Sequence, residues 1–142
     1  MGIIFSIIAG LAMSLQGVFN TRLSEKVGTW ETNAFVQGSA FIVTLIITWF
    51  FGKGDFKQLL SAKKLYLLGG VLGVIIIFTV MYGIKDLGAT YAIGIILVAQ
   101  LTAAGLIDAF GVFDSTKITF GINEIIGVVL MIIGIIVFKW RF

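Results

Sequence analysis

Apolar residues run along this chain in long blocks, broken at a few places by charge. Five blocks reach the roughly 20 residues that a helix needs to cross a hydrocarbon core of about 30 Å. They cover residues 2–20, 32–51, 65–84, 87–110 and 118–138, with Arg22, Glu31, Lys53, Lys64 and Lys85 marking their edges. The pattern predicts an all-α membrane protein with five transmembrane helices per chain, in a single transmembrane domain over residues 1–142. The third and fourth blocks meet at "KDLG", which predicts a tight antiparallel hairpin there. The opening "MGIIFSIIAGLAMS" has no basic stretch before its apolar run, so it reads as a first membrane helix rather than a secretory signal.

Polar aromatic residues agree with this division. Trp30, Trp49, Tyr66, Tyr82, Tyr91 and Trp140 all fall near block ends, at the headgroup level that amphipathic rings prefer. Composition narrows the chemistry further. The chain is 59% hydrophobic and 12% charged, about half the charge of a soluble domain, and its mean hydropathy is +1.13. It has no Pro, Cys or His. That removes disulfides, thiolate chemistry, most transition-metal sites and the usual general base of a hydrolase. The longest loop, 52–64, is too small for a soluble catalytic domain. We therefore expect no enzymatic activity, no cofactor and no metal. The net charge of +3 is scattered and gives no nucleic-acid footprint. The expected partners are the lipid bilayer, a small-molecule substrate and a second copy of the chain.

Five spans put the two termini on opposite sides. The side of the N-terminus holds Lys53, Lys57, Lys63, Lys64 and Lys117; the other holds Arg22, Lys26, Lys85, Lys139 and Arg141. Orientation normally follows an excess of Lys and Arg on the cytoplasmic side, and five against five leaves no excess. Two readings follow. One strong loop, such as 52–64, fixes a single orientation. Alternatively, chains insert both ways and pair antiparallel, giving a 5+5 inverted-repeat fold from one short chain. Transporters commonly place their site at the interface of two such inverted repeats.

Small residues at helical spacing predict packing faces, because helices in lipid associate by close approach. Gly10 and Ser14 belong to such a stripe in the first block, Gly69 and Gly73 form a GxxxG in the third, and Gly127 and Gly134 lie one heptad apart in the fifth. The polar residues inside the blocks are few and expensive to bury. Gln16 and Asn20 share one face of the first helix, about 40° apart; structural glue and substrate contact suit them equally. Gln37 lies one to two turns into the second block. Gln100 sits near the middle of the fourth, and Asp108 follows about 12 Å along the axis and about 80° around it. Desolvation favours the protonated form of a carboxylate, the property that a proton-coupling group needs. A plain helix end is the competing reading of Asp108, although an acid at a helix C-terminus opposes the macrodipole. Glu124 is either an N-terminal cap of the fifth helix or a second coupling or gating acid.

The stretches "GLAMSLQGVFNTRL" and "AQLTAAGLIDAFGVF" resemble the YdcZ-type proteins, the short five-span branch of the drug/metabolite transporter superfamily. The resemblance rests on Gln16, Asn20, Gln100, Asp108 and Gly111 and covers nearly the whole chain. It implies a multi-pass protein of the bacterial inner membrane that transports small molecules. Four-span small multidrug exporters carry a central glutamate in their first span; here that span has no acid. Proton coupling would then fall to Asp108 or Glu124, and without it the protein would be a uniporter. The expected function is secondary transport by alternating access, with Gln16, Asn20, Gln37 and Gln100 binding substrate. A dual-topology ion channel and a non-transporting accessory subunit are the alternatives.

Overall fold

The computed structural model describes residues 1–119 and 121–140. Arg141, counted above among the topology charges, lies outside the described residues. Five helices are long and apolar enough to cross a membrane: α1 (Gly2–Val27), α2 (Thr29–Phe51), α3 (Gly69–Leu87), α4 (Ala89–Phe110) and α5 (Ile122–Lys139). Two short 3₁₀ turns, Phe56–Leu60 and Lys64–Leu68, lie between α2 and α3, the second running straight into α3. Among the described residues there is no strand, and the all-α expectation holds.

Several boundaries differ from those read from hydropathy: α2 begins at Thr29 rather than 32, α3 proper begins at Gly69 after the 3₁₀ turn rather than at 65, and the ends facing the first and last connections differ as follows. The polar stretch after Asn20 does not form a loop. It continues α1 to Val27 because nothing before Gly28 breaks the helix. Gly28 is the whole connection to α2. Its N–H donates to Ser24 O at 3.1 Å, ending α1, and its carbonyl accepts from Thr32 N at 3.1 Å, opening α2. Its φ of 102° is a conformation that L side chains rarely adopt, and a Cβ there would run into the Glu31 carboxylate. The fifth helix starts at Ile122 rather than 118, since Phe113 and Asp114 take left-handed conformations in the preceding turn.

The chain divides into two compact units, Met1–Asp86 and a second from Leu87 onward. In the first, α1, α2 and α3 meet around a small core whose character is inverted relative to a soluble protein. Its buried residues are Gly17, Asn20, Thr21, Thr32, Asn33, Met81 and Ile84. Most of the Ile, Leu, Val and Phe side chains point outward. Lipid tails are as apolar as leucine, so the fold gains little by hiding apolar groups and more by sheltering polar ones. Helical hydroxyls are satisfied locally: Ser6, Ser14, Thr21, Thr32, Thr48 and Thr102 each donate to the carbonyl four residues back at 2.7–3.0 Å. In the second unit, α4 packs antiparallel on α5 where Gly94 admits the Ile135 side chain; a Cβ on Gly94 would lie 3.1 Å from Ile135 Cγ1.

Candidate functional site

In the first unit an amide seam joins α2 to α3. Asn33, only 2% exposed, donates from Nδ2 to the Val74 carbonyl at 2.8 Å. Its Oδ1 is buried without a hydrogen-bond partner among the described residues. One turn further along the same face, the half-buried Gln37 lays its amide over Gly73; a Cβ there would sit 2.9 Å from Gln37 Nε2. Gly73 therefore seats a polar side chain. Trp30 stacks on Phe78 with centroids 4.7 Å apart, and Phe78 meets Tyr82 at 4.8 Å, closing the seam toward the end of α3. On the α1 side, Gly17 receives α3: a Cβ would lie 2.9 Å from Ile84 Cδ1 and 3.2 Å from Val80 Cγ1.

The sequence candidates in this unit are placed differently from one another. Asn20 is buried, at 7% exposure, whereas Gln16 is exposed four residues earlier. Ser14 spends its hydroxyl on Gly10 O. Gly10 and Gly69 face open space within this chain. Asn33, Thr32 and Gly17 were missed by sequence reasoning. The available signal for Asn33 was its i, i+4 spacing to Gln37, the same spacing that singled out Gln16 and Asn20.

The second unit brings the two candidate acids together. A cleft of about 430 Å³ between α4 and α5 is lined by Asp108 and Glu124 with Ala104, Gly105, Thr119 and Gly127 among its walls, and no Lys or Arg lines it among the described residues. Asp108 lies in the last turn of α4, which continues past it to Phe110. The chain then folds back over that turn. Gly111, at φ 62°, lets its own N–H reach Asp108 O at 3.3 Å and that of Val112 reach Ile107 O at 3.3 Å. Ile118 N also donates to Asp108 O, at 2.9 Å, and Ser115 Oγ to Ile107 O at 3.2 Å. These bonds satisfy carbonyls that a helix end leaves open, and Asp108 itself lines the cleft. Glu124 has a second engagement: its Oε2 accepts from Gly121 N at 2.8 Å, capping α5.

At the other end of the same helix pair, a cleft of about 520 Å³ is mostly apolar, and Gly134 is in its wall. There the Lys139 ammonium lies 4.2 Å from the Tyr91 ring centroid. Gly127 and Gly134 meet no side chain of their own chain. Gln100, midway along α4, is exposed. No group of three or more Asp, Glu, His or Cys residues capable of holding a metal ion occurs among the described residues.

Comparison with known proteins adds an independent line. The chain is 27% identical over 136 residues to "Inner membrane protein YdcZ" of Escherichia coli K12, covering 92% of this chain and 89% of that protein. No solved structure matches it. A family model described as "Putative inner membrane exporter, YdcZ" matches residues 1–137. Five spans and this match together identify a multi-pass inner-membrane protein, and at the level of the family a membrane transporter. The chain belongs to the YdcZ family of inner-membrane proteins.

Proposed function

We propose that the protein is a small-molecule secondary transporter, not an enzyme, that works by alternating access as an antiparallel homodimer. The observation that carries this reading is the α4–α5 cleft, which both Asp108 and Glu124 line with no Lys or Arg beside them among the described residues. Asp108 lies in the last turn of α4 and Glu124 in the first turn of α5, so the two acids line one end of the helix pair, a place from which they can serve a pathway for ions or substrate. Asp108 is the coupling or gating group. Glu124 serves the same cleft while capping α5. Gln16, Asn20 and Gln37 supply substrate contacts; the exposed amide of Gln16 is available to a cavity shared between two chains.

The antiparallel arrangement is supported by the five-against-five distribution of Lys and Arg. Tagged N-termini should be found on both faces of the membrane; a single fixed orientation would remove the antiparallel version. The transport reading is tested in two steps. A thermal-shift ligand screen of purified protein identifies a compound that raises apparent stability, and that compound is then followed into proteoliposomes. Saturable, protein-dependent uptake supports the proposal, and flux orders of magnitude faster without saturation would mark a channel instead.

A further inference from the structure

Gln100 is the twelfth of the 22 residues of α4, so its side chain lies at the mid-depth of that span. It is exposed and makes no hydrogen bond among the described residues. A primary amide carries two N–H donors and a carbonyl acceptor, and hydrocarbon offers neither a donor nor an acceptor in return. The hydroxyl of Thr102 on the same helix is satisfied by Val98 O; the Gln100 amide has no such partner within the α4–α5 pair.

We infer that Gln100 is covered by the partner's Gln100 in an oppositely inserted copy. The inference rests on the antiparallel homodimer proposed above. A two-fold axis in the plane of the membrane carries every residue to the same distance on the other side of the mid-plane. Only a residue at mid-depth can meet its own counterpart, and Gln100 has that position in α4. The amide is self-complementary: each copy donates one N–H to the carbonyl of the other. Ala103 and Ala104 lie within about 60° of Gln100 around the helix, and these short side chains permit the close approach that the pair needs. Ile93 and Ile107 stand seven residues to either side of Gln100, each within about 20° of it around the helix. In an antiparallel pair centred on Gln100, the Ile93 of one copy therefore falls opposite the partner's Ile107. No charged residue occurs in α4 before Asp108, so nothing on this face repels a second copy. Each Asp108 then lies about 12 Å from the pair along the axis, the two acids falling on opposite sides of the mid-plane. The amide pair becomes the central contact, with one acid-lined cleft toward each face.

The chain has no cysteine, so introduced thiols are the only ones. Gln100→Cys in native membranes should form a covalent dimer with copper phenanthroline. Ile93→Cys and Ile107→Cys, offset from each other by about 21 Å along the helix, should each stay monomeric alone and cross-link when co-expressed. Gln100→Leu, which removes both polar groups, should weaken the detergent-solubilised dimer roughly tenfold, the loss of two reciprocal bonds of ordinary strength in a membrane. Self-cross-linking of Ile93→Cys and of Ile107→Cys would mean parallel helices and would overturn both the pairing and the antiparallel dimer. No Gln100→Cys cross-link and no loss of dimer in Gln100→Leu, with N-terminal tags still on both faces, would overturn the pairing and leave the dimer standing.

Discussion

Asn33 offers a sharp test of whether polar contacts hold the first unit together. Replacing it by Asp changes one NH₂ group to oxygen without changing shape. The donor that reaches Val74 O at 2.8 Å becomes a carboxylate oxygen facing an acceptor unless the group takes up a proton at its own cost, in a site where the side chain is 2% exposed. A buried charge left without a partner costs about 3–5 kcal/mol. Asn33→Ala behaves differently. It loses one hydrogen bond, averaging about 0.6 and at most about 1.7 kcal/mol in a membrane protein, and leaves a small cavity. It also removes Oδ1, which is buried and unpartnered and whose relief offsets roughly 1–3 kcal/mol. The net change for Asn33→Ala is about 1 kcal/mol or less. Unfolding of the purified protein in detergent, followed by tryptophan fluorescence and by size-exclusion chromatography after heating, measures both variants. Trp30 stacks on Phe78 across the same helix pair, so its emission reports the contact. Asn33→Asp should melt roughly 10 °C or more below wild type, and Asn33→Ala within a few degrees of it. Equal melting of Asn33→Asp and wild type would refute the assignment of a buried Asn33 donor to Val74.

Asp108→Asn should abolish the pH dependence of flux in proteoliposomes while the dimer persists on size exclusion; unchanged pH-dependent flux would remove Asp108 from the mechanism. Glu124, which lines the same cleft, is held constant. Glu124→Ala should cost about 1 kcal/mol through loss of the cap on Gly121 N, whereas Glu124→Gln should retain most of that stability; a flux defect in Glu124→Gln then belongs to transport and not to the cap. Gly73→Leu should destabilise by about 1–3 kcal/mol, because its side chain must displace the Gln37 amide, and Gln37→Ala in the same chain should recover part of the loss. Arg22→Ala should change stability by less than about 0.5 kcal/mol, since its 3.2 Å pair with Glu25 is solvent-exposed.

The number of spans and their approximate places were legible in the sequence because a bilayer imposes length and polarity on a helix regardless of its neighbours. The ends of α1 and α5 were not. Residues 21–27 are polar enough to suggest a loop, yet no Pro or Gly interrupts the backbone before Gly28. Conversely, Ile118 and Thr119 are apolar or neutral but follow a turn with left-handed residues at Phe113 and Asp114. At the candidate site, sequence reasoning named Asp108 and Glu124 separately. Their sharing one cleft depends on the antiparallel register of α4 and α5, which no spacing within either helix encodes. The glycines divide in the same way. Gly17 and Gly94 meet neighbouring side chains, and neither belongs to the stripes that stood out; Gly10, Gly69, Gly127 and Gly134 do stand out and meet none within the chain. Small-residue spacing shows where close approach is allowed, but the opposing helix decides where it is used.

The one-residue link at Gly28 has a mechanical consequence. The same residue closes the last turn of α1 and opens the first turn of α2, so neither helix can slide along its axis without dragging the other. Under the alternating access proposed above, a rocking motion would carry this pair as one lever. Between α2 and the 3₁₀ turn that leads into α3, by contrast, residues 52–63 hold a mostly exposed strip of chain with only a short turn of its own. Slack for movement within the first unit is concentrated there, at the end of the lever remote from Gly28.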